Sequence, residues 1–176
     1  VWKLPVVFVV ANNQWAISVP LAKQTATQTL AQKAIAAGIE GVQVDGNDII
    51  AVSHALQAAL KKARTGVGPA LIEALTYRLF DHTTADDARR YRSTQEVSKH
   101  WALEPIVRLR NYLADSGAWG KQQEEQLLAE CARQVQAAAD EFTKLPKPAP
   151  AAMFEHLYAT LPAALQAQRD DALREQ

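Results

Sequence analysis

Two clusters hold the residues whose types and spacing suit chemistry. Asn12-Asn13 directly follows the apolar run Val6-Val7-Phe8-Val9-Val10, and a side-chain amide oxygen is a hard donor of the kind Mg²⁺ shares with phosphate and water. The plainer reading is a polar turn, since asparagine tolerates turn geometry. The second cluster fills the polar, aperiodic stretch 76–93, where Arg78, His82, Thr83, Asp86, Asp87, Tyr91, Arg92 and Ser93 lie close together. An imidazole there can donate to a developing oxyanion or exchange a proton near neutrality. A solvated surface loop is the alternative. His54, His100 and His156 have no partner at metal-ligand spacing and fall in helical stretches, so they read as structural or solvated.

These clusters need a scaffold, and the sequence supplies one. The run through Val10 is continuous in β-branched and aromatic residues, which predicts a strand buried on both faces of a parallel sheet. Thr27 is placed to cap a helix over 28–37 that Gly38 closes, and Val42-Gln43-Val44 reads as a short extended segment. Asp45-Gly46 makes a turn before a helix that starts near Asn47 or Asp48. Val52, Leu56, Ala59, Leu60 and Ala63 form its apolar stripe, and Gly66 and Gly68 end it. Ala70-Leu71-Ile72-Glu73-Ala74-Leu75 is the next strand. The alternation predicts an α/β fold, part of a doubly wound parallel sheet, with ligands bound at the carboxyl ends of the strands. Both clusters follow such an end.

Beyond 93 the pattern turns helical. Ile106, Leu109 and Leu113 share a face, and Leu127, Leu128, Cys131, Val135, Ala138 and Phe142 mark a longer amphipathic helix in which Cys131 reads as a core thiol. The expected division is 1–93 for the sheet domain with its loop 76–93, and 94–143 for a helical extension. A proline-rich connector over 144–150 and a helical tail over 151–176 follow. In that tail Phe154, Leu157 and Leu161 make a short apolar face, and the charged stretch 166–176 is expected to fray.

The stretch Asn12-Asn13-Gln14-Trp15-Ala16-Ile17-Ser18-Val19-Pro20 resembles the closing half of the thiamine-diphosphate motif in α subunits of the first component of 2-oxoacid dehydrogenase complexes. Thr76-Tyr77-Arg78, His82-Thr83-Thr84-Ala85-Asp86-Asp87 and Tyr91-Arg92-Ser93 are similar, in order and spacing, to the active-site loop of the same subunits. The resemblance implies the thiamine-diphosphate-binding fold, with Mg²⁺ held by the Asn13 side chain and the Trp15 carbonyl. Ile17 would meet the aminopyrimidine through its main chain, and the Trp15 side chain need not touch the cofactor. It further implies that His82 faces the reacting 2-oxoacid and that Arg78, Asp86, Tyr91 and Arg92 hold the loop ordered. A β subunit in an α₂β₂ assembly, a lipoyl-bearing second component and a small 2-oxoacid are the partners it implies. The reaction is decarboxylation with acyl transfer to lipoyl. Pyruvate is favoured over branched-chain 2-oxoacids on overall resemblance, without a deciding residue. The rival readings are a noncatalytic fragment serving assembly and another thiamine enzyme of transketolase type, against which the loop discriminates.

Two departures from the family pattern stand out, beside one match in the loop. The Gly-Asp-Gly that opens the motif is not in the sequence, and Val44-Asp45-Gly46 lies downstream of the asparagines and lacks the first glycine. Ala11 stands where branched-chain members carry an arginine that reaches the diphosphate, so neutralisation must come from elsewhere. Thr83 and Ser93 match serines phosphorylated in animal relatives, where added charge beside Asp86 and Asp87 would repel. Hydroxyl residues are common in loops, so such regulation is not expected here; phosphopeptides occupied at Thr83 or Ser93 would overturn that reading.

The whole composition sets outer limits. Nineteen Lys and Arg balance nineteen Asp and Glu with no long block of either sign, which gives no footprint for nucleic acid or an anionic membrane. One cysteine excludes an internal disulfide framework and a thiolate-rich metal site, in keeping with a reducing compartment. No apolar run approaches the roughly 18–20 residues that span a bilayer. The start at Val1 shows neither an initiator Met nor a targeting signal and is read as an interior cut. The expected location is the cytoplasm of a bacterium, or the mitochondrial matrix in a eukaryote.

Overall fold

A computed structural model describes residues 1–174. They divide into two compact units, Val1–Gly120 and the helices from Lys121 onward. The first unit is built on strands β1 (Val7–Asn12), β4 (Glu40–Asp45) and β5 (Ala70–Leu75), all parallel, in the spatial order β1-β5-β4. A two-stranded antiparallel hairpin, β2 (Trp15–Ala16) and β3 (Val19–Pro20), follows β1. The register sets Asn12, Leu75 and Asp45 side by side, so the carboxyl ends of all three strands finish level.

The central strand shows how the two faces are covered. Ile72 points into the cluster of Ala59, Ala70, Val44, Ala55 and Leu56, which belongs to helix α2 (Ile49–Arg64), to β4 and to β5 itself. Its neighbour Glu73 points the other way, because side chains alternate along a strand, and meets the main chain of Ala31. Ala31 sits in a 3₁₀ turn (Leu30–Gln32) that leads into the short helix α1 (Lys33–Ala36). Helical segments on both faces of a parallel sheet make the expected α/β architecture. Gly41 permits the close approach on the second face, for a Cβ there would lie 2.3 Å from the Ala31 carbonyl oxygen and 2.8 Å from the Ala34 Cβ.

Asp48 starts α2 by accepting the N–H groups of Ile50 and Ala51, and Asp45 accepts that of Asn47 in the turn before it. The stripe is as expected, with Ala59 and Ala63 buried and Val52, Leu56 and Leu60 half-buried. Helix α3 (Thr94–Trp101) and helix α4 (Pro105–Asp115) complete this unit. In the second unit α5 (Lys121–Lys144) is followed by an irregular stretch over 145–149, the single turn α6 (Ala152–Glu155), and α7 (Ala163–Arg174). Among the described residues no helix is long and apolar enough to cross a membrane.

Several expectations are corrected. The strand expected to be buried on both faces is a sheet edge, with Phe8 51% and Val9 56% exposed. Its apolar run asks for cover on both faces, and among the described residues only β5 pairs with it. The helix expected over 28–37 shrinks to the 3₁₀ turn and α1, and Thr29 caps it, not Thr27. The Gln32 side chain takes the Gln28 N–H, and Thr27 pairs with Thr25 through their hydroxyls, which keeps the chain before Leu30 out of a helix. Cys131 is exposed, as are Leu127, Leu128, Val135 and Phe142 along α5. A stripe at helical spacing marks a face that could be covered, and this unit does not cover it. Leu157 lies past the end of α6 and is exposed, whereas Phe154 and Leu161 are half-buried. The stretch expected to fray is helical through Arg174; residues 175–176 of it lie outside the described residues.

Candidate active site

At the end of β1 the chain folds into two successive asparagine turns. Asn12 is buried; its amide nitrogen donates to a Glu73 carboxylate oxygen at 2.6 Å, and its oxygen accepts the Gln14 N–H at 3.0 Å. Asn13 Oδ1 accepts the Trp15 N–H, also at 3.0 Å. Gln14 between them has φ +66°, its main-chain oxygen takes the Leu21 N–H at 2.9 Å, and its side chain donates to the Thr76 carbonyl at 2.7 Å. The Thr76 and Arg78 N–H groups donate in turn to the carbonyls of Asn12 and Asn13. The turn is thereby tied to the strand end from which the loop 76–93 departs.

The hairpin fixes where the oxygens point. Since Gln14 bonds to Leu21 across the hairpin, ladder alternation turns the N–H and C=O of Trp15 away from β3. The N–H side is where Asn13 sits, so the Trp15 carbonyl and the Asn13 amide oxygen share one edge. Asn13 Oδ1 keeps a second lone pair after bonding Trp15. Two hard oxygens on one edge fit Mg²⁺. Among the described residues no group of three His, Cys, Asp or Glu could hold a metal, so a metal here would depend on such neutral donors and on its ligand. Ile17, first residue of the tight turn between β2 and β3, has φ +52°. A β-branched residue in this region is strained by about 1–3 kcal/mol, a cost that clusters at ligand-binding sites. Its carbonyl accepts from Arg78 Nη2 at 2.7 Å.

Arg78 joins this turn to the loop. The same Nη2 donates to the Tyr91 hydroxyl at 2.8 Å, and Tyr91 donates onward to Asp86. Asp86 also accepts the His82 main-chain N–H at 2.9 Å. The Tyr91 hydroxyl, followed by the His82 N–H, holds the Asp86 carboxyl below its ordinary range, while burial and then Asp86 push the Tyr91 phenol up. Trp15 packs against Tyr91 with ring centres 5.6 Å apart, so its side chain serves the junction. Arg92, only 7% exposed, donates to the carbonyls of Arg78, Leu79 and Phe80 and lies over the Tyr77 ring. Tyr77 donates to Glu96 at 2.7 Å and stacks on His100, which anchors α3 to the loop stem. Arg78 Nε and Nη1, like Arg92 Nε, are buried with no acceptor among the described residues.

The model of the dehydrogenase E1 component family matches residues 1–151. This chain belongs to the dehydrogenase E1 component family. It is 46% identical over 170 residues to the 3-methyl-2-oxobutanoate dehydrogenase subunit alpha of Mycobacterium tuberculosis, covering 97% of this chain and 46% of that protein. It is 42% identical over 168 residues to the pyruvate dehydrogenase E1 component subunit alpha of Staphylococcus aureus, covering 95% of this chain and 45% of that one. The chain thus spans a little under half the length of these relatives.

In this E1-family chain the structure brings Asn13, Trp15, Ile17, Arg78, Asp86, Tyr91 and Arg92 into one connected assembly. The His82 side chain is exposed at the loop tip, held only through its main chain. Thr83 is exposed, and the exposed Ser93 caps α3 by accepting the Glu96 N–H at 3.1 Å. Asp45, read as a turn residue, also pairs with Arg108 at 2.6 Å, which lowers its pKa. Sequence reasoning passed over Glu73 and Gln14. The signal for Glu73 was a lone charge in an otherwise apolar strand, a residue almost never fully buried unless partnered.

Proposed function

We propose that this chain supplies the asparagine half of a thiamine-diphosphate and Mg²⁺ site, together with the substrate loop, in the α subunit of a 2-oxoacid dehydrogenase. Its β subunit would complete an α₂β₂ enzyme that decarboxylates a short 2-oxoacid and passes the acyl unit to a lipoyl-bearing second component. The observation that carries this reading is the Arg78 bridge, a single guanidinium nitrogen that bonds both the strained Ile17 turn and the Tyr91-Asp86 network of the loop.

When bound, thiamine diphosphate supplies the carbanion chemistry that lets carbon dioxide leave a 2-oxoacid. The protein residues bind, orient and move protons. Asn13 Oδ1 and the Trp15 carbonyl would hold the metal from this chain, and the Ile17 main chain would meet the aminopyrimidine. The exposed His82 imidazole donates to, or exchanges a proton with, the substrate oxygen. Asp86, by holding the His82 N–H, keeps that imidazole at the loop tip.

The test is a full-length α chain purified with its β partner and assayed for decarboxylation of pyruvate and of 3-methyl-2-oxobutanoate, with and without thiamine diphosphate and Mg²⁺. Pyruvate is the first substrate to assay. His82→Ala should lower turnover or acyl transfer by about 10²–10⁴-fold, the usual worth of a positioned proton-transfer group. Unchanged kinetics would remove His82 from the mechanism. The noncatalytic reading finds support in the exposed apolar edge β1, which favours association of this stretch with other chains.

A further inference from the structure

We propose that Glu73 is the positioning residue of the oxygen-donor turn, locking Asn12 so that Asn13 Oδ1 and the Trp15 carbonyl keep one fixed presentation. This rests on the cofactor reading above. Glu73 is 0% exposed in the central strand, where neighbouring positions are Ile72 and Ala74. One of its oxygens accepts from Asn12 Nδ2 at 2.6 Å, the other from the Ala31 N–H at 2.9 Å. A buried carboxylate is expensive, and an apolar residue would serve packing alone at least as well. Its use lies in what it forces on Asn12.

A carboxylate only accepts, so the Asn12 amide must turn its NH₂ toward Glu73 and its oxygen toward Gln14. The oxygen then takes the Gln14 N–H and sets the left-handed Gln14 that brings Asn13 under Trp15. Order passes from the sheet core to the donor oxygens through one side-chain amide. Glutamine at position 73 has one acceptor oxygen for two donors. The Ala31 N–H belongs to the backbone of a 3₁₀ turn, whereas the Asn12 amide is free to flip, so Asn12 yields. Flipped, it faces the Gln14 N–H with its own NH₂, and the turn opens.

The experiment uses the full-length α chain assembled with its β partner, without cofactor, and follows main-chain hydrogen exchange. Glu73→Gln should speed exchange at Gln14 and Trp15 while the β5 amides stay protected. Calorimetry on the same protein should show thiamine diphosphate binding in the presence of Mg²⁺ weakened about tenfold or more, the usual cost of losing a group that orients a metal ligand. Adding Asn12→Asp to Glu73→Gln reverses donor and acceptor at constant net charge, and should restore both readouts. If Glu73→Gln does not fold, Asn12→Ala removes the link from its other end and must loosen the same two amides. Unchanged exchange at Gln14 and Trp15, or a uniform rise through β5 with no selective effect at the turn, would overturn the proposal. A wild-type assembly that binds no thiamine diphosphate would sink the cofactor reading instead, while exchange at Gln14 and Trp15 still decides the role of Glu73.

Discussion

The asparagine turn and the loop 76–93 lie side by side and are held in opposite ways. The turn, Asn12 to Trp15, is fixed from beneath, by a fully buried carboxylate and by main-chain bonds to Thr76 and Arg78. The loop tip, His82 to Ala85, is exposed, and its order comes from an Arg78-Tyr91-Asp86 chain of titratable side chains. Rigid oxygens suit a metal, whose coordination tolerates little drift. A loop that admits a substrate needs an ordering network that can open, and groups near the surface open at low cost.

The variants that test this contrast run from large effects to small. Arg92→Ala strips the donors from three loop-stem carbonyls at a buried position and should destabilise by about 3 kcal/mol, read by urea denaturation of the assembled enzyme. Arg78→Ala cuts the side-chain bridge from the Ile17 turn to the Tyr91-Asp86 network. Trypsin should then cut after Arg89 or Arg90 about tenfold faster, in step with a population shift of about 1.4 kcal/mol; Gln14 and Trp15 exchange should change far less, because the turn keeps its anchor in Glu73.

The pH dependence should divide the two regions as well. Asp86 has its pKa lowered in the folded loop, so its contribution is present above the ordinary carboxylate value of about 4 and is lost as pH falls through the lowered one. Tyr91 has its pKa raised, so its contribution is full below the ordinary phenol value of about 10 and is lost as pH rises through the raised one. Loop protection against trypsin digestion or exchange should therefore be flat between those limits. Tyr91→Phe removes the largest cause of the Asp86 shift, and loop protection should begin to fail at a higher pH on the acid side. The smallest effect is Ser93→Ala, which removes the cap of α3 and should cost about 1 kcal/mol in thermal unfolding without touching the turn.

The strands at β4 and β5 and the start of α2 were legible in the sequence because local signals agreed there. Asp48 capped an apolar stripe, and an apolar run interrupted at Glu73 ended at a polar loop. Thr27 misled because its hydroxyl and its N–H both bond Thr25, which leaves Thr29, three residues before Gln32, to cap the turn. The α5 stripe and Cys131 gave the right period but not the cover, since periodicity says which residues share a face and nothing of what packs on it. In the site, family resemblance pointed to Arg78 and Tyr91 as members of one network, and the structure joins them by a hydrogen bond. Glu73 was visible only as a misplaced charge, whose partner 61 residues away no local pattern could name.

The most direct test of the account is calorimetric binding of thiamine diphosphate with Mg²⁺ to the full-length α chain assembled with its β partner, comparing wild type with Asn13→Ala. Wild type should bind, and Asn13→Ala should lose about tenfold or more in affinity while the β5 amides keep their protection. Equal affinity in the two proteins would contradict it, and would remove the donor turn from the cofactor site.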